Sequence, residues 1–126
     1  MATIKLLNNV EQGVPSGNYD GSSQAFYADA EPGNSYYYGY EPVTTVEIRV
    51  ENFYGRITIQ GTLGSIPLES AFVDLATFDA EDSTLQTFTQ SQEIIGEYTF
   101  LRAYVEEFQS GIIHYVTAES VIRWDY

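Results

Sequence analysis

At 126 residues the chain has room for one hydrophobic core, and a hydrophobic share of 44% places it among globular rather than disordered sequences. Asp and Glu number 18 against 5 Lys and Arg, a formal net charge of −13 that argues against nucleic acid and anionic membrane surfaces as partners. There is no cysteine, which excludes disulfides, thiolate metal sites and thiol nucleophiles.

The opening stretch "MATIKLLNNVEQ" has neither the charge pattern nor the apolar run of a signal peptide. No stretch approaches the ~20 apolar residues that span a bilayer as a helix, so a soluble protein is expected. Residues 8–42 are rich in Gly, Asn, Ser, Pro and Tyr, with turn signals at 15–17, 20–21 and 32–34. From residue 43 onward, strand follows strand. In "TVEIRV", Val46, Ile48 and Val50 alternate with Thr45, Glu47 and Arg49, the mark of a strand with one buried face. Ile57 and Ile59 alternate likewise in "RITIQ", and residues 52–55 between the two runs read as the turn of a hairpin.

"LESAFVDLATF" fits helical and strand spacing alike, and its neighbours favour a strand. "DAEDST" reads as a turn, with "LQTFTQ" and "EIIG" as short strands after it. "YTFLRAYVEEF" sets Leu101, Ala103 and Val105 against Phe100, Tyr104 and Phe108, apolar residues on both faces that imply a strand covered on both sides. "QSG" should turn the chain, and "IIHYVTAESVIRW" should return as one long or two short strands. No repeat and no helical crossover is evident. The expected fold is all-β: an antiparallel, jelly-roll-like β-sandwich over residues 43–126, with residues 1–42 as an extended N-terminal arm.

Catalysis finds little support. The only histidine, His114, offers a general base or metal ligand on one reading and a polar strand position on the other. It has no second histidine or cysteine to complete a metal site or triad. Asp79, Glu81, Asp82, Glu106 and Glu107 supply carboxylates, but acidic residues are too abundant for any pair to stand out. No phosphate-binding glycine motif occurs. In "GNYDGSS", Asn18, Asp20 and Ser22 offer hard oxygen ligands for calcium at a spacing unlike the standard calcium loop, and an Asx-type turn accounts for the same residues. No cofactor is expected.

The segment "NSYYYGYEP" crowds Tyr36, Tyr37, Tyr38 and Tyr40 between glycines, with Tyr19, Phe26 and Tyr27 upstream. Alternation prevents all of these rings from facing one core. Three readings stand side by side: an arm packed over the body, a protein–protein contact, or a sugar-stacking platform. Tyr19, Tyr27, Tyr36, Tyr37, Tyr38 and Tyr40 are therefore the interface or glycan-stacking candidates.

The runs "YDGSS", "YYYGY", "TVEIRV", "GRITIQGTL" and "FLRAYVEEFQSGIIHYVT" together resemble small β-rich virion proteins of tailed phages of marine cyanobacteria. The resemblance spans most of residues 15–120. It implies a structural subunit of a phage particle, at the tail, baseplate or fibre attachment, or as a capsid decoration protein. "FLRAYVEEFQSGIIHYV" is also similar to the late strands of discoidin- and carbohydrate-binding-type sandwiches, although their usual disulfide and loop-borne binding triad are missing. The implied partners are other virion proteins in a multicopy assembly formed in the host cytoplasm, or a host-surface glycan.

Overall fold

A computed structural model describes residues 2–32, 43–63, 72–80, 86–95 and 98–121. These contain seven strands: β1 (Ala2–Glu11), β2 (Phe26–Tyr27), β3 (Glu31–Pro32), β4 (Val43–Thr62), β5 (Val73–Asp79), β6 (Gln86–Ile95) and β7 (Phe100–Val121). All pairings are antiparallel. The all-β expectation therefore holds. Hydrogen bonding runs through one continuous sheet rather than two separate ones.

Two long strands form the spine of that sheet. β4 and β7 pair along their whole lengths, from Val43 opposite Val121 to Thr62 opposite Phe100. The N-terminal half of β4 is flanked by β6 and by the second half of β7, which β1 covers. Its C-terminal half is flanked by β5 and by the first half of β7, which β2 and β3 cover. The sheet thus has two halves, ordered β6–β4–β7–β1 and β5–β4–β7–β2/β3, which share a corner.

The corner replaces both turns that the sequence suggests. Residues 52–55 do not reverse the chain into a hairpin, and residues 109–111 do not reverse it either; both lie inside continuous strands. Their turn-type residues are used for bulges instead. Asn52 (φ 50°) and Glu107 (φ 52°) adopt left-handed backbone, and the pairing register shifts on both sides of Tyr54. Each bulge reverses the inward-facing parity of its strand. Val46, Ile48 and Val50 are buried before Asn52, and Phe53, Ile57 and Ile59 after it. Leu101, Ala103 and Val105 are buried before Glu107, and Phe108 immediately after. A hairpin and a bulged corner call for the same residues. The pairing of β7 along both halves of β4 decides between them.

Gly111 (φ +97°) lets the two strands cross closely at the corner, since a Cβ there would lie 2.5 Å from the Asn52 carbonyl oxygen. The inside of the corner is filled with aromatic rings. Phe108 lies 5.3 Å from Tyr19, 5.8 Å from Phe53 and 6.3 Å from Phe26, centroid to centroid. One core cluster joins these rings to the aliphatic side chains of both halves.

The expected N-terminal arm is corrected for residues 2–32, which belong to the body. β1 pairs with β7 from Ala2–Ser120 to Glu11–Ile112, and Leu6, Val10, Tyr19, Phe26 and Ala28 are buried in the core. The Phe108 N–H donates to the Gln24 carbonyl, and the Ala28 N–H to that of Ala103. The glycines and asparagines of this stretch shape a loop that carries Tyr19 and Phe26 into the corner. "QTFTQ" and "EII" belong to the single strand β6 rather than to two. "VDLATFD" is a strand as expected, while residues 64–71 and the acidic positions 81–84 fall outside the described residues.

Candidate functional site

The most developed side-chain cluster lies on the outer face of the β5–β4–β7–β2 half. Strand register places Gln60 opposite Arg102, Thr58 opposite Tyr104, and Tyr104 opposite Tyr27. Arg102 is 8% exposed although it points away from the core. Its guanidinium carbon is 4.1 Å from the ring centre of Tyr27 and 4.1 Å from that of Phe72. Two rings so close to one carbon must take opposite faces, so the guanidinium is held between them. Tyr27 stacks in turn on Tyr104, with 4.2 Å between centroids and 15° between planes. The order is Phe72, Arg102, Tyr27, Tyr104.

Hydrogen bonds pin the stack edgewise. Arg102 Nε donates to Gln60 Oε1 at 2.8 Å, and Gln60 Nε2 donates to Asp74 Oδ1 at 2.8 Å. A neighbouring ion pair joins Arg56 to Glu106, with Nη2 to Oε1 at 2.9 Å. Burial, followed by the Glu106 charge and the Tyr27 hydroxyl, pushes the Tyr104 hydroxyl above its ordinary range. Among the described residues no buried side-chain nitrogen or oxygen lacks a hydrogen-bond partner. The cluster fastens the β2 segment and the start of β5 to the sheet. Chemically it is a clamp.

The fold gives the two described tyrosine candidates different roles. Tyr19 is 1% exposed, and its hydroxyl accepts from the Gly13 N–H at 2.9 Å, so it serves the core. Tyr27 remains partly accessible at its edge, but Arg102 and Tyr104 occupy its two faces, leaving none for a sugar ring. Tyr36, Tyr37, Tyr38 and Tyr40 fall outside the described residues.

The calcium candidates are committed to their own loop. Asp20 Oδ1 accepts from the Ser22 and Ser23 N–H groups at 2.8 and 2.7 Å, and Oδ2 accepts from Ser23 Oγ at 2.7 Å. Those bonds hold its carboxyl down at about 2, the Ser23 backbone bond contributing most. Asn18 directs its amide nitrogen to the Tyr27 carbonyl and to Asp29 Oδ1. Asp20 is an Asx-type turn, and among the described residues no group of three His, Asp or Glu side chains could hold a metal.

His114 Nε2 lies 3.2 Å from Glu51 Oε1 in a solvent-open pair, and Tyr115 donates to Glu47 Oε2 at 2.6 Å. Glu106 is held by Arg56, while Glu107 occupies the bulge, so the two adjacent glutamates do not form a pair across a cleft. A groove of about 180 Å³ runs between β1 and the β2–β3 segment, with Lys5, Asn18, Asp29 and Glu31 on its rim and Leu6 and Phe26 inside. Asn18 and Asp29 are bonded to each other there.

Sequence reading did not find the Arg102 clamp. Its one local signal is an arginine two residues from a tyrosine on a strand. The partners Gln60, Tyr27 and Phe72 come from distant segments that register alone assembles. No protein-family model matches the chain, and no curated protein matches it. Fold and site define an all-β module in which the clustered charged and aromatic side chains described above serve the scaffold.

Proposed function

We propose that the chain is a structural subunit of a tailed-phage virion, in the tail, baseplate or fibre-attachment region, that works by assembling with other virion proteins. The observation supporting an assembly role is the commitment of side chains that could do chemistry. Arg102 and Glu106 bridge strands of the sheet, Tyr19 packs in its corner and Asp20 closes its own turn, while residues 89–93 of β6 are exposed. A rigid scaffold with open strands suits a building block. The virion setting comes from the sequence resemblance, and the high negative charge suits a basic neighbour in the particle.

The alternative of capsid decoration differs only in location within the particle. The carbohydrate-binding reading loses Tyr19 and Tyr27 and now depends on Tyr36, Tyr37, Tyr38 and Tyr40. Mass spectrometry of purified particles tests the proposal: the chain should be present at a fixed ratio to the major structural proteins. Its absence from intact particles would refute the reading, and glycan-array binding lost on Tyr37→Ala would replace it with the carbohydrate-binding one.

A further inference from the structure

Sheet edges expose unpaired backbone groups, and proteins usually blunt them with bulges, prolines, charges or very short strands. Three edges of this sheet are blunted in those ways. β1 carries Lys5, a register shift between Lys5 and Leu7, and Asn9 with φ 51°. β5 has a register irregularity beside Asp74 and ends at Asp79. β2 and β3 are two residues each, and β3 ends in Pro32.

β6 has only one of these devices, the charge of Glu93 near its end. "QTFTQSQEII" contains no proline, glycine or lysine, and its single charge is Glu93. Among the described residues it pairs only with β4, in a register whose one shift comes from the β4 bulge. Thr87 and residues 89–93 are exposed, and Phe88 is half-buried.

We infer that β6 is a homotypic pairing edge, joining one copy of this chain to a second by antiparallel strand addition. The run 87–93 has its midpoint at Gln90, so a two-fold axis there sets Gln90 against Gln90, Ser91 against Thr89, Gln92 against Phe88, and Glu93 against Thr87. Polar partners face polar partners along most of the run. The two Glu93 carboxylates sit at opposite ends, roughly 20 Å apart at ~3.4 Å per residue, which is beyond the screening length at physiological salt. The contact itself carries no like-charge clash. The net charge of −13 on each copy opposes approach at long range, so added salt strengthens the pair. A basic strand from another protein would bind the same edge with the opposite salt dependence.

This inference deepens the assembly reading and rests on it. The two fail separately, because self-association is read in purified protein and incorporation is read in particles. The test is sedimentation velocity of the full chain between roughly 10 μM and 1 mM, at low and high salt, with folding checked by circular dichroism. The expected result is a monomer–dimer equilibrium that tightens with salt. Gln90→Lys faces two cations at the axis and should weaken it roughly two- to fivefold, as should Gln90→Glu with two anions. An equimolar mixture of the two variants should recover the heterodimer. Glu93→Lys, a larger change in net charge at a position facing Thr87, should leave dimerisation intact or tighter. A wild-type chain that stays monomeric throughout, or Gln90 variants that dimerise unchanged, would overturn the inference. So would a Glu93→Lys variant weakened as much as Gln90→Lys.

Discussion

Replacing Arg102 is the sharpest test of the clamp on the outer sheet face. Three losses add up in Arg102→Ala. The Gln60 Oε1 atom loses its 2.8 Å donor at a residue only 9% exposed, which costs about 1–3 kcal/mol. Each of the two guanidinium–ring contacts contributes about 0.5–1 kcal/mol. Two buried methylenes contribute about 0.8 kcal/mol each. The sum is about 4–7 kcal/mol, a large part of the ~5–15 kcal/mol that holds a domain folded. With a urea slope of roughly 2 kcal/mol per molar, the unfolding midpoint should fall by about 2–3 M. Arg102→Met, which keeps the apolar stem, should cost about 3 kcal/mol. Adding Gln60→Leu to Arg102→Met should recover about 1 kcal/mol by removing the orphaned oxygen. Equilibrium urea denaturation followed by fluorescence measures all three. A loss below about 1 kcal/mol for Arg102→Ala would refute the reasoning and make Arg102 an ordinary surface cation.

The corner gives a second prediction: Gly111→Ala, whose Cβ would lie 2.5 Å from the Asn52 carbonyl oxygen, should lower stability by about 2–4 kcal/mol in thermal melts. Glu107→Gly, at φ 52°, should be neutral or stabilising by up to about 1 kcal/mol. Deleting residues 1–32 should abolish cooperative unfolding rather than release an arm, because Val10, Tyr19 and Phe26 leave with it; a sharp melt of the truncated chain would contradict this. The hydrogen bond to Glu47 holds the Tyr115 hydroxyl above its ordinary value of 10, so its phenolate absorbance should appear late on alkaline titration, and Glu47→Gln should bring it back down. The folded state keeps that proton longer than the unfolded chain does. Its contribution to stability is therefore complete below pH 10 and is lost as pH rises through the folded-state value.

Period-2 alternation in the sequence was enough to place the buried face of the first half of β4, because burial of one strand face is a local demand. Val46, Ile48 and Val50 point where that alternation puts them, whereas in β7 it left two apolar faces, of which the fold buries that of Leu101, Ala103 and Val105 and leaves Tyr104 half-buried. The reversal of parity after Asn52 was also written in the sequence, where the apolar positions shift from Val46, Ile48 and Val50 to Ile57 and Ile59. Whether that step marks a turn or a bulge was not. Asn and Gly at positive φ serve both, and only the pairing of β7 along both halves of β4 selects the corner. The same non-local cause moved Tyr19 from the surface into the core, since a turn-rich segment reads as an arm until the cavity it fills exists. It also assembled the Arg102 clamp from segments far apart in sequence. The residues determined which faces are buried and where the backbone could bend. The tertiary structure decided which strands meet, because strand pairing depends on partners that no local pattern names.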